Sequence, residues 1–136
     1  MEPALVAALS LGLRLSAGDK DAWIVPEEAK KLKNPIPVTE AGLSAARDLY
    51  KDKCVKCHSE TGKGDGVEAA MYSVKAADFT DASMMKQKTD GELFYKLSQG
   101  RRPMPSFKKQ LADEQRWQLV NFLRTLAAPS ANPDKK

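Results

Sequence analysis

Apolar residues recur at helical spacing in three stretches of the chain, and nowhere do they alternate with polar ones over the length of a strand. Leu43, Ala46, Leu49 and Tyr50 fall at i, i+3, i+6 and i+7, so a helix that opens at Thr39-Glu40-Ala41-Gly42 has one apolar face running up to Cys54. Thr89-Asp90-Gly91-Glu92 has the S/T-x-x-E form of a capping box; Leu93, Phe94 and Leu97 follow on one face, and Gly100 ends that helix. A last helix starts near Asp113 and carries Trp117, Val120, Leu123 or Phe122, and Leu126 before Pro129 stops it. A shorter helix is predicted with Pro26 at its first position, ahead of Glu27-Glu28-Ala29-Lys30-Lys31-Leu32. The fold class is therefore all-α, with about four helices and no internal repeat.

The segments outside this pattern divide the chain. Residues 4–13 are apolar and are followed by the small Ser16, Ala17 and Gly18, which reads as the remnant of a secretory signal over 1–17. An uncleaved anchor or an ordinary amphipathic helix are the alternatives, since a bilayer span takes about 20 apolar residues. An arm over 18–38 is punctuated by Pro26, Pro35 and Pro37, and Asn34-Pro35-Ile36-Pro37 must be extended because a residue before proline avoids the α region. The arm has no periodic face of its own; Trp23 and Ile24 are its expected anchors on a domain spanning 39–128, with a polar tail at 129–136. Gly62-Lys63-Gly64-Asp65-Gly66 lacks the spacing of a phosphate-binding loop and reads as a flexible turn.

Composition narrows the class without deciding it. A chain of 136 residues, 42% hydrophobic and 29% charged, suits one folded domain. Its charge of +4 comes from 22 basic and 18 acidic side chains that are interspersed, so a nucleic-acid partner is not expected.

Both cysteines and the single histidine lie within Cys54-Val55-Lys56-Cys57-His58. Random placement would produce that arrangement about once in 10⁴. C-x-x-C-H is the pattern of c-type haem attachment, in which two thiols form thioethers with one edge of a porphyrin and the next residue's imidazole reaches the iron. Other readings of a cysteine pair fit less well. A structural zinc site needs four ligands, and the chain has no further Cys or His. A thioredoxin-like redox pair belongs in a βαβ setting, and a disulfide across so short a loop adds little stability. Met104 is the candidate for the iron's second axial position, because Pro103 and Pro105 fix the chain on both sides of a weak thioether ligand. Met104 only packing against the haem face is the alternative, and Met84 and Met85 are read as core or rim. Phe79, Leu97, Phe107 and Trp117 are candidates for the haem pocket, equally compatible with ordinary core.

These features together resemble the class I monohaem cytochromes c over most of residues 39–127: an aromatic (Tyr50) four residues before the first cysteine, C-x-x-C-H, a methionine between prolines, and a final helix reading Trp117-Gln118-Leu119-Val120-Asn121-Phe122-Leu123-Arg124. The resemblance implies that the first and last helices cross at nearly a right angle. Ala46 would lie at the crossing where glycine is usual, and Phe122 would pack there where tyrosine is common. It also implies one covalent haem c, His58 and Met104 as axial ligands, maturation outside the cytoplasm in the periplasm or an equivalent compartment, and a one-electron carrier rather than an enzyme. The expected partners are redox proteins acting as donor and acceptor. Lys96, Arg101, Arg102, Lys108 and Lys109, with no acid between Leu93 and Ala112, suggest that those partners present acidic docking surfaces, although solvated charges would look the same. A haem-bearing subunit of a membrane complex, or a haem peroxidase or ligand sensor in which Met104 leaves the iron, are the competing functions.

Overall fold

The computed structural model describes residues 22–127; the expected signal remnant, the polar tail and Pro129 lie outside them. Among the described residues there are seven helices: α1 (Glu27–Lys30), α2 (Glu40–Lys53), α3 (Val55–His58), α4 (Val67–Met71), α5 (Ala82–Gln87), α6 (Asp90–Gln99) and α7 (Asp113–Leu126). The three helices read from the apolar pattern are α2, α6 and α7, the short one expected after Pro26 is α1, and the all-α class holds. The three additional helices have four, five and six residues, too few for a 3.6-residue period to show.

Local chemistry sets the boundaries. The Thr39 hydroxyl caps α2 by accepting from the Gly42 N–H at 3.0 Å, and Thr89 caps α6 by accepting from the Glu92 N–H at 3.1 Å. The return half of the capping box is not made, because the Glu92 carboxylate turns instead to the ammonium groups of Lys88 and Lys96 at 3.6 and 3.3 Å. Ala112 has no side-chain acceptor for α7; its own N–H donates to Gln115 Oε1 at 2.9 Å. Pro26 has an extended ψ of 144°, so it precedes α1 and Glu27 is the first helical residue, one position later than predicted.

The core is built on α7, which buries Trp117, Leu119, Val120, Phe122 and Leu123. A fully buried leucine or valine contributes about 1.5–3 kcal/mol, so α7 is the element on which the others assemble. Helix α2 packs against it while burying only Ala46 and Tyr50. Both Ala46 and Val120 have no exposed surface. The Phe122 ring lies against Tyr50 with centroids 5.3 Å apart and planes inclined at 56°, a tilt that suits the ring quadrupoles.

The arm crosses both α6 and α7. Its α1 packs on α6, and Asn34 Nδ2 donates to Asn121 Oδ1 at 2.8 Å while Asn121 Nδ2 donates to the Ile36 carbonyl at 3.1 Å. Only one of the two expected anchors engages. Trp23 is half-buried with the Lys96 ammonium 5.6 Å from its ring centre, but Ile24 is 84% exposed and Val25 is buried instead. In extended chain successive side chains point to opposite sides, so an inward Trp23 puts Val25 inward and Ile24 out.

Candidate functional site

Cys54 closes α2, its N–H donating to the Tyr50 carbonyl at 2.9 Å, and α3 then turns once. The His58 N–H donates back to the Cys54 carbonyl at 2.9 Å. Residues three and four apart on a helical turn are neighbours, so Cys54, Cys57 and His58 share one side of this corner. Ser59, with φ +66°, ends the turn, and the Tyr50 hydroxyl donates to its carbonyl at 2.7 Å. Tyr50 thus ties α2 to the exit from the motif.

The two thiols are free. Cys54 packs against the core, and desolvation pushes its pKa up to about 12; Cys57 is half-buried and also raised, again mainly by desolvation. Both are therefore protonated at neutral pH, the opposite of the depressed thiolate that a redox-active cysteine pair requires. His58 stacks on Phe79 with ring centroids 4.6 Å apart and planes inclined at 25°. Its Nδ1 lies 3.3 Å from the Ala77 carbonyl oxygen. A carbonyl only accepts, so Nδ1 carries the proton and Nε2 keeps a lone pair. Burial lowers the imidazole pKa against the weaker opposing pull of that carbonyl, which favours the neutral ligand form.

The glycine-rich segment is not the flexible turn expected from its composition. The Gly66 N–H donates to the Cys57 carbonyl at 3.0 Å, the Gly64 N–H to the His58 carbonyl at 2.9 Å, and the Phe79 N–H to the Gly62 carbonyl at 2.7 Å. The segment satisfies the carbonyls that α3 leaves open at its end. Gly64 has φ +80°, and a Cβ there would sit 2.3 Å from the Ala76 carbonyl oxygen. Only glycine permits this approach, and the Ala76–Ala77 backbone it admits is the one that holds His58.

Met104 is half-buried against the core in a turn closed at both ends: the Arg101 N–H donates to the Met104 carbonyl at 3.0 Å, and the Met104 N–H to the Arg101 carbonyl at 2.8 Å. Phe79, Leu97, Phe107 and Trp117 are buried in one continuous core against which Cys54 and Met104 pack. Among them only Phe79 has a ring contact with His58; Trp117 stacks on Phe94 at 3.9 Å and 12°. Met85 is core and Met84 packs at its edge. Of the expected positive residues, Arg101, Arg102, Lys108 and Lys109 are exposed. Lys96 is drawn inward between Glu92 and Trp23, and desolvation lowers its pKa. Sequence reasoning missed Ala77, whose contribution is a backbone carbonyl with no side-chain signature, and the loop's role in holding it.

The donor set suits a covalently held haem: two free neutral thiols on one corner, an imidazole with its tautomer fixed and Nε2 available, and a thioether on the same apolar core. The cytochrome c family model matches residues 43–127. Among solved structures, the chain is similar to one from the Kuenenia stuttgartiensis reducing HAO-like protein complex Kustc0457/Kustc0458, with 28% identity and a TM-score of 0.57 over 71% of this chain and 50% of that one. It spans half the length of that relative. It is also similar to the c-type cytochrome KustC0563, with 24% identity and a TM-score of 0.54 over 61% of this chain and 98% of that one, a likeness of fold. Comparison with curated proteins gave no match.

The loop geometry makes a prediction about Gly64→Ala. A left-handed φ costs an L-residue about 1–2 kcal/mol, and the backbone clash with Ala76 adds to it. The variant should lose about 2–3 kcal/mol in urea unfolding followed by circular dichroism. An unchanged midpoint would mean that the loop is not locked against residues 76–77.

Proposed function

The chain belongs to the cytochrome c family, and on that footing we propose that it is a one-electron carrier in which Cys54 and Cys57 form the thioethers of a single haem c and His58 and Met104 are the axial ligands. Haem c electron transfer is the activity of the family; the ligand pair and the carrier role are this proposal. The observation that carries it is the His58 corner, where the Ala77 carbonyl and the Phe79 ring hold the imidazole beside the two cysteines that would join the porphyrin edge, in position to reach the iron. When bound, the haem supplies one iron that alternates between Fe(III) and Fe(II).

The chain's own groups give that change its character. His58 would hold the iron through Nε2, while the Ala77 carbonyl keeps the proton on Nδ1 and so favours the tautomer that leaves Nε2 free to ligate. As a ligand, the Met104 thioether would favour Fe(II) and raise the potential. Phe79, Leu97, Phe107 and Trp117, all buried in one core, would keep water from a haem placed against it, and two fixed ligands would limit rearrangement when the charge changes. No catalytic residue is assigned.

The proposed setting is a bacterial-type respiratory chain outside the cytoplasm, which rests on the apolar stretch at 4–13 and the family's maturation there. Among the described residues no helix is long and apolar enough to cross a membrane. A second reading, a haem-bearing subunit of a larger redox assembly, draws support from the likeness to a chain of the reducing HAO-like complex.

Replacing Met104 with Ala should leave haem attached, lower the potential and let the reduced protein bind carbon monoxide. Met104→His should lower the potential yet keep the iron six-coordinate, since imidazole favours Fe(III) more than a thioether does. Met85→Ala should cost about 2–5 kcal/mol of stability without changing the spectrum. A Met104→Ala protein with the wild-type spectrum and potential would refute the ligand assignment.

Docking is proposed through the exposed Arg101, Arg102, Lys108 and Lys109 to a partner with an acidic surface. The transfer rate with the native partner should fall as salt rises and the Debye length shrinks from about 30 Å at 0.01 M to about 10 Å at 0.1 M. A rate indifferent to salt would remove steering by these charges.

A further inference from the structure

The loop that carries Met104 is closed at its base by hydrogen bonds that converge on two carbonyls at the end of α6. The Phe107 N–H donates to the Leu97 carbonyl at 3.0 Å, and both the Lys108 N–H, at 3.2 Å, and the Ser106 hydroxyl, at 2.6 Å, donate to the Ser98 carbonyl. Gly100 begins the loop with φ +63°, and a Cβ there would lie 2.5 Å from the Pro105 carbonyl, so the two sides of the loop touch. Ser98 is the shared attachment point, and it is itself buried.

Ser98 is in turn tied to α7. Arg116, only 4% exposed, donates through Nη1 to the Ser98 hydroxyl and through Nη2 to the Asp113 carboxylate, and its guanidinium lies 4.7 Å from the centre of the Phe94 ring. Its Nε has no hydrogen-bond partner among the described residues. A buried guanidinium is costly unless its geometry holds it in place, and helix pairing alone does not call for one here, because α6 and α7 already pack through Leu93, Leu97 and Trp117. What Arg116 adds is a fixed connection between the helix of the core and the base of the methionine loop.

We propose that Arg116 is a positioning residue for Met104: acting through Ser98, it holds the loop 100–105 closed so that the thioether stays against the core, an inference that rests on the reading of Met104 as an iron ligand. Ser106 is the loop-side partner in the same device. Carbon monoxide binds the reduced iron only when the sixth ligand has left, so its association rate reads how often the loop opens.

The test is carbon monoxide association with the reduced, full-length holoprotein, alongside the sulfur-to-iron absorption of the oxidised form. Ser106 is exposed, so Ser106→Ala should fold normally while losing one bond at the loop base, and its association should be about two- to tenfold faster than wild type. Ser106→Thr keeps the hydroxyl and should restore the wild-type rate. Arg116→Lys keeps the charge but cannot hold Ser98 and Asp113 at once, and should open further than Ser106→Ala. Wild-type rates in both Ser106→Ala and Arg116→Lys, with Met104→Ala fast, would overturn the positioning role while leaving the ligand assignment standing. Wild type and Met104→Ala binding the gas alike would instead overturn the ligand assignment itself, and the positioning role with it.

Discussion

A helical turn of four residues cannot keep three functional side chains in register by itself, because one turn fixes several dihedral angles for very few hydrogen bonds. Helix α3 is such a turn, and its order is imposed from outside. The Cys57 and His58 carbonyls are satisfied by the N–H groups of Gly66 and Gly64, the Ser59 carbonyl by the Tyr50 hydroxyl, and the His58 ring by the Ala77 carbonyl and Phe79. The segment from Gly62 to Phe79 is therefore a clamp on the corner that presents both thiols and the imidazole. Its removal would leave the motif's sequence intact and its geometry undefined.

Helix α7 supplies the matching constraint for the rest of the molecule. Its apolar side is the core, and its polar side ties down the surrounding segments. Asn121 holds the arm at Asn34 and Ile36, and Arg116 holds Ser98. Arg124 reaches Asp90 at 2.8 Å and the carbonyls of Met85 and Lys88, fixing the corner between α5 and α6. Arginine suits such places because its planar fork offers several donors at fixed angles. For the proposed carrier role the consequence would be functional, since ligands held in place in both oxidation states would let an electron exchange with little rearrangement.

Much of this was legible in the sequence wherever a rule acts over a few residues. Thr39, Thr89 and Asp113 mark their helices because capping and first-turn charge are local, and Leu43 to Tyr50 or Trp117 to Leu126 show their faces because a long helix repeats its period. The corner Cys54 to His58 was legible because its chemistry depends on spacing alone. Helices α3, α4 and α5 were not, being less than two turns long and so too short to repeat the period that would reveal them. The glycine-rich segment was misread as flexible because composition cannot tell a glycine that moves from one that admits a neighbouring backbone. Ile24 and Lys96 were misplaced for a related reason: whether a side chain turns in or out of an arm or a helix flank is settled by the surface it meets, here the Trp23 ring and the Glu92 carboxylate around Lys96 and the inward turn of Trp23 and Val25 that leaves Ile24 outside.

Covalent attachment is the claim on which the ligand set, the pocket and the carrier role all depend. Acid–acetone extraction of the matured protein, followed by mass spectrometry of the chain, addresses it most directly. Haem should stay with the polypeptide, whose mass should exceed that of the bare chain by one haem, and Cys54→Ala with Cys57→Ala should abolish the increment. Haem released intact into the organic phase, with the chain at its bare mass, would contradict the account.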